Sequence, residues 1–239
     1  MWALWWRVVF LLLGQAGALV PSPPLRCGVE AWGKKKKTNR ERAWAERKKA
    51  EACAVARRRG RATDLEPSWL AVRGTRVEED HRYEQFFFDE ATTARLAGLA
   101  LAYERPLLVG VPSLAVALDG KRDYLLLDRD ERFQELRWEP FDFARPCPLD
   151  SGFEFDALFA DPPFANVDID QFAAALRVLC GGGGPSTPPI FVCYSIKRAA
   201  QLAEALRDLG HLRQRGPCLS YACGLMPQQI GLFSTTTAL

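Results

Sequence analysis

From Gln85 onward the chain alternates blocks of apolar and polar residues. Apolar runs at Pro106–Val111, Tyr124–Asp128, Trp138–Phe143, Phe155–Ala160 and Ile190–Tyr194 are short and bounded by turn formers. Strands enclosed on both faces read this way. Between and after them, Ser113–Leu118, Asp168–Cys180 and Ile196–Leu209 carry a helical period. Glu90–Tyr103 predicts a further helix, with Asp89 as its N-cap and Ala94, Leu96, Ala97 and Leu101 able to face a core. Such alternation predicts an α/β fold, a largely parallel sheet with helices on both faces. Leu219–Cys223 and Gln228–Ser234 read as a closing hairpin. Gly181–Gly184 follows a helix and precedes a strand, the wrong polarity for a phosphate cradle, and predicts a loop.

Upstream the pattern changes. Residues 64–84 are mixed and polar and predict a connector. Residues 39–62 have a helical composition ended by Arg59-Gly60, with charge nearly all the way round, which suits a solvated arm. Met1–Arg7 carries one positive charge, Val8–Leu13 is apolar, and Ala16-Gly17-Ala18 has the form of a cleavage site. The apolar stretch is too short to span a bilayer, so a signal-type segment over residues 1–18 is expected rather than stable membrane insertion. With the basic stretch 19–63 behind it, it resembles the two-part address of plastids reached through the secretory route. A wrongly chosen upstream start codon, or a nuclear-type basic run at Lys34–Lys37, are the alternatives. Residues 85–239 form the expected folded domain.

Charge separates the same regions. The net charge of the 239 residues is +3, yet residues 26–63 hold 14 Lys/Arg against 4 Glu, and residues 64–239 hold 17 Lys/Arg against 25 Asp/Glu. A polyanion would therefore be drawn mainly to the arm. The apolar fraction of 48% excludes intrinsic disorder for most of the chain. Seven scattered cysteines without a Cys-x-x-Cys pair, and two histidines, give neither a zinc module nor a disulfide framework, and no metal is expected.

The chemistry concentrates where expected strands end. Asp161-Pro162-Pro163-Phe164 follows Phe155–Ala160 directly. The Asp161 carboxylate and the Pro162 carbonyl are two acceptors, matching the two hydrogens of an exocyclic amine. The prolines restrict φ and remove donors, and Phe164 offers a stacking face. This run resembles the signature of amino-methyltransferases, a likeness that implies Asp161, Pro162, Pro163 and Phe164 as the catalytic set. Gly110-Val111-Pro112-Ser113 makes a tight turn into a helix. Asp128 stands where ribose hydroxyls are bound in open α/β sheets, with Asp130 as the near alternative. Asp142, between Phe141 and Phe143, suits an adenine amino group and ring.

Residues 85–235 resemble the N6-adenine methyltransferase-like family of S-adenosylmethionine enzymes. Gln85-Phe86-Phe87, Asp128–Phe133 and Phe155–Phe164 are similar to a branch acting on an elongation-factor lysine. Val109–Leu114, Leu125–Asp128, Asp161–Phe164 and Pro189-Ile190-Phe191 are closer to the branch with CCHC zinc modules acting on ribosomal-RNA adenine. The resemblance implies a seven-strand class I, Rossmann-like methyltransferase sheet whose last hairpin is antiparallel, with S-adenosyl-L-methionine as cofactor. It implies that Gln85, Phe86 and Phe87 fold over that cofactor, with Gly110, Val111, Pro112 and Asp128 lining its pocket. The zinc modules and the Gly-x-Gly loop of most methyltransferases are absent from this sequence. The expected activity is methylation of adenine N6 in structured RNA. A protein lysine on a translation factor, and a non-catalytic binding subunit, are the alternatives.

Overall fold

The computed structural model describes residues 68–80, 84–164, 166–182, 184, 187–224 and 228–236. The targeting segment, basic arm and arm helix expected over residues 1–63 lie outside them. No helix among the described residues is long and apolar enough to cross a membrane.

The chain opens with a hairpin, β1 (Trp69–Val72) and β2 (Thr75–Glu78). Residues 64–84 were expected to be a connector, and this hairpin corrects that expectation. Its turn residues Arg73 and Gly74 both have positive φ, +44° and +93°, the backbone that matches the twist of paired strands. Val72 and Val77 are buried in the domain core, and Arg73 grips the Asp119 carboxylate with two nitrogens at 3.1 and 3.2 Å.

The remaining elements are α1 (Glu90–Ala100), β3 (Pro106–Val109), α2 (Pro112–Leu118), β4 (Leu125–Asp128), β5 (Trp138–Pro140), β6 (Ala157–Ala160), α3 (Ile169–Leu179), β7 (Ile190–Ser195), α4 (Ala199–Ala205), β8 (Arg213–Leu219) and β9 (Ile230–Ser234). Asp89 caps α1 as expected, accepting from the Thr92 amide at 2.7 Å. The helix stops at Ala100 rather than Tyr103, whose ring instead meets Phe159 and Phe191 edge-on. Asp168 and Gln171 form a reciprocal capping box at the start of α3. The expected helix over Ile196–Leu209 divides into a tight turn at Ile196–Arg198 and α4.

Seven strands form one sheet in the order β5-β4-β3-β6-β7-β9-β8. Strands β3 to β7 pair in parallel, while β9 is antiparallel to β7 and to β8. Alternate residues serve the two faces. Leu108, Leu126, Phe159 and Phe191 meet α1 and α2, and Leu107, Val109, Leu158 and Val192 meet α3 and α4. Fully burying each such side chain contributes about 1.5–3 kcal/mol relative to leaving it exposed.

The closing hairpin is shifted from expectation. Its first strand is the polar stretch Arg213–Leu219, ending where the expected strand began. As an edge strand, β8 carries Arg213, Arg215 and Pro217, residues that discourage further pairing. Tyr221, freed from the hairpin, forms an isolated bridge to Phe88.

Candidate active site

From β3 the chain builds outward through β4 and β5, then returns to lay β6 on the other side of β3. Ligand clefts in open sheets form at this reversal, outside the carboxyl ends of the strands. Gly110 follows β3 and Asp161 follows β6. Gly110 has φ +68°, and a Cβ there would stand 2.8 Å from the Asp161 carbonyl oxygen and 3.5 Å from Phe143. The turn therefore admits only glycine, because both the backbone angle and the approach of the second strand exclude a side chain. Val111 and Pro112 are buried behind it, with Pro112 at the first helical position, where its missing N–H costs nothing.

The segment Glu84–Asp89 crosses the same end of the sheet. The Ala222 amide donates to the Phe87 carbonyl at 2.8 Å, and the Asp89 amide donates to the Ser220 carbonyl at 3.0 Å. The Phe88 amide donates to Ser113 Oγ at 3.0 Å, and the Asn166 amide, just past the proline turn, donates to Glu84 Oε2 at 3.0 Å. Gln85 Nε2 donates to Asp130 Oδ2 at 2.9 Å. Phe87 is 1% exposed and packs edge-on against Phe133, so its ring belongs to the core. Phe86 is partly exposed and tilts against Tyr221, with 5.8 Å between centroids.

Two carboxylates end β4. The Asp130 carboxylate accepts from the backbone and guanidinium of Arg132 and from Gln85. Burial works against its charge, but these donors outweigh burial and hold the carboxyl below its ordinary value. Asp128 accepts from the Asp130 amide at 2.9 Å and, among the described residues, from no side chain. Burial pushes its carboxyl up to about 7, the Asp130 charge adds to the rise, and backbone donors and Arg129 oppose it. Asp142 turns one oxygen to the Ala144 amide at 2.9 Å, between the buried rings of Phe141 and Phe143.

At the end of β6, the Asp161 amide donates to the Val109 carbonyl at 3.0 Å, fixing the residue against β3. Its side chain accepts from the Tyr221 hydroxyl at 3.1 and 3.2 Å, one contact to each oxygen. Burial drives the carboxyl well above its ordinary value, and the Tyr221 bond opposes that rise. Pro162 is buried. The Pro163 carbonyl accepts from the Asn166 and Val167 amides at 3.1 and 3.0 Å, whereas no backbone hydrogen bond among the described residues reaches the Pro162 carbonyl. Phe164 is partly exposed and meets the Tyr194 ring edge-on at 5.2 Å, and the Arg198 guanidinium lies over that same ring.

Gly110, Phe143, Asp161 and Phe164 thus converge at the reversal, with Asp128, Asp130 and Gln85 at its β4 side. Tyr221 and Glu84 were not singled out from the sequence. Each meets the site through a contact spanning more than 50 residues, by a side chain that no local pattern marks. No group of three or more His, Cys, Asp or Glu among the described residues could hold a metal ion.

A sheet of this order with an antiparallel seventh strand defines a class I, Rossmann-like methyltransferase. The chain belongs to the family described as probable N6-adenine methyltransferase, whose model matches residues 79–210. It is therefore an S-adenosylmethionine-dependent methyltransferase. No curated protein matches the chain. Among solved structures, it is similar to a TehB-like SAM-dependent methyltransferase from Corynebacterium glutamicum, at 16% identity over 62% of this chain and 88% of that one, with a TM-score of 0.43. It is also similar to the methyltransferase domain of a bacterial Hen1, at 11% identity over 60% and 96% and a TM-score of 0.44. The N-methyltransferase NodS from Bradyrhizobium japonicum is similar at 12% identity over 61% and 96%, with a TM-score of 0.40.

Proposed function

We propose that the protein methylates N6 of adenine in structured RNA, ribosomal RNA being the class of acceptor. The observation that carries this reading is the pair of acceptors at the end of β6, the Asp161 carboxylate and the Pro162 carbonyl, beside the ring of Phe164. Bound S-adenosylmethionine supplies an electrophilic methyl group on a sulfonium. The lone pair of an adenine N6 is delocalised into its ring and is a poor nucleophile. Two acceptors on its hydrogens draw the nitrogen toward tetrahedral geometry and stabilise the positive charge that grows as the bond to carbon forms. The surplus proton then passes to Asp161 Oδ and on to solvent. Phe164 stacks on a base displaced from its neighbours, a contact worth about 1–3 kcal/mol.

The residues at the β4 side fit the cofactor. Asp128 is a carboxylate with open acceptor capacity, as a ribose diol requires, and Gly110 lets the β3 turn approach without a side chain. Asp142, with Phe141 and Phe143, suits the adenine moiety. Asp130 is occupied by its own chain and is the poorer candidate for the diol.

A second reading is a protein lysine on a translation factor. The excess of acidic residues over residues 64–239 favours it, because it suits a cationic acceptor. Incubating the full chain with labelled S-adenosylmethionine and whole-cell extract, then counting RNA and protein separately, decides between the two. Label in RNA that digests to N6-methyladenosine is the expected result. Label confined to protein overturns the RNA reading.

A further inference from the structure

Tyr221 is 4% exposed and held on three sides. Its backbone bridges Phe88, its ring stacks on Phe88 at 5.0 Å with 8° between planes, and Phe86 tilts against it. Its hydroxyl therefore has a fixed direction, and that direction is the Asp161 carboxylate, at 3.1 and 3.2 Å from the two oxygens. The other titratable groups near enough to act on this pair are the buried Cys193 thiol on β7, which acts on Tyr221 and feels the Asp161 charge, and the Cys223 thiol, which acts on Tyr221; Arg95 on α1 acts on Cys193. No lysine or arginine among the described residues bonds to Asp161, so a single phenol stands where buried carboxylates usually have a cation. One proton shared between two oxygens commits neither. The phenol can keep one oxygen while the other receives an incoming N–H donor.

We propose that Tyr221 is a positioning residue for methyl transfer: its hydroxyl orients the Asp161 carboxyl, favours its ionised form against burial, and yields one oxygen to the acceptor amine. This rests on the reading of Asp161 as the amine's acceptor. Donation to a carboxylate favours its ionised form. Tyr221→Phe should therefore lower kcat at neutral pH by roughly ten- to a hundredfold, the usual effect of losing a hydrogen bond to a charged group. The acid limb of the kcat–pH profile should move to higher pH, and cofactor affinity should stay unchanged. Replacing Tyr221 with 3-fluorotyrosine, which keeps the ring's packing and strengthens the donor, should move that limb to lower pH. In an Asp161→Asn background that limb should be absent, because an amide does not titrate, and neither change should restore it.

Methyl transfer from labelled S-adenosylmethionine to total cellular RNA, and in parallel to total cellular protein, provides the rates. In protein carrying tyrosine labelled with carbon-13 at Cζ, the Tyr221 resonance should follow one pH transition that Asp161→Asn abolishes. This readout needs no substrate and decides the matter if neither extract takes label, or if Tyr221→Phe fails to fold. An acid limb unmoved by both changes, or a Tyr221 resonance without an Asp161-dependent transition, overturns the proposal. Wild-type turnover by Asp161→Ala would instead overturn the reading of Asp161 on which it rests.

Discussion

The ends of β4 and β6 both carry aspartates, yet the chain treats them differently. At β4 there are two carboxylates two residues apart. Arg132 and Gln85 saturate Asp130, and Asp128 keeps only backbone donors. At β6 there is one carboxylate, and its partner is a neutral phenol from the far end of the chain. A guanidinium locks a carboxylate for structural use, and a backbone amide or a shared phenol leaves it able to accept more. On the proposed assignment of roles, charge alone does not separate working carboxylates from structural ones at these strand ends; the donors already spent on them do.

The sharpest way to break this comparison is Asp161→Ala. It removes an acceptor whose bond strengthens as the nitrogen gains charge, so kcat should fall about 100- to 1,000-fold with little change in cofactor binding. Asp161→Asn should fall less, since the amide oxygen still accepts. Steady-state turnover on the fraction that takes label measures both, and wild-type rates in either would reduce Asp161–Phe164 to a proline turn.

Next in size is Asp128→Ala, which should weaken S-adenosylmethionine binding by about 1.5–3 kcal/mol, the range for a hydrogen bond to a charged group. Calorimetry on the full chain reads it directly. The same carboxyl gives two opposite pH trends. Its pKa is about 7 in the folded protein against an ordinary 3.8, so its contribution to stability is greatest below pH 4 and is lost as pH rises through 7. With Asp128 read as the acceptor for the ribose diol, cofactor binding needs its ionised form, so affinity should instead fall as pH drops below 7, by up to about tenfold per unit. Asp128→Asn should flatten both curves, and a slope that survives it would place the titrating group elsewhere.

Asp130→Asn sits at the small end. With its oxygens committed to Arg132 and Gln85, cofactor affinity should change by no more than about threefold, while the melting temperature drops as the turn loses charge-assisted bonds. A loss in affinity as large as that of Asp128→Ala would show that the two β4 carboxylates act as one unit.

What could be read from the sequence follows from where each determinant lies along the chain. The runs around Leu107, Leu126, Leu158 and Val192 are apolar on both faces, so β3, β4, β6 and β7 declare themselves locally, as do the caps Asp89 and Asp168. The position of Asp161 directly after β6 is legible for the same reason. The β1–β2 hairpin is not. Its strands are four residues each, Trp69 faces outward, and its turn is Arg73-Gly74 rather than the more telling Asn-Gly. Strand β8 is hidden because an edge strand gains from Arg and Pro what a central strand gains from Val and Ile. The Tyr221–Asp161 bond spans 60 residues and rests on tertiary packing alone.

The segment Glu84–Asp89 is fastened at one end to Asp130 and at the other, through Phe88, to Tyr221. On the proposed reading of the two sites, one short length of backbone thus belongs to the surroundings of both reactants, and the two binding equilibria share a term. By thermodynamic reciprocity, whatever factor the methyl donor applies to the acceptor's affinity, the acceptor applies to the donor's. Cutting the Gln85–Asp130 tether should therefore weaken the cooperativity between the two ligands more than it weakens the binding of either one alone.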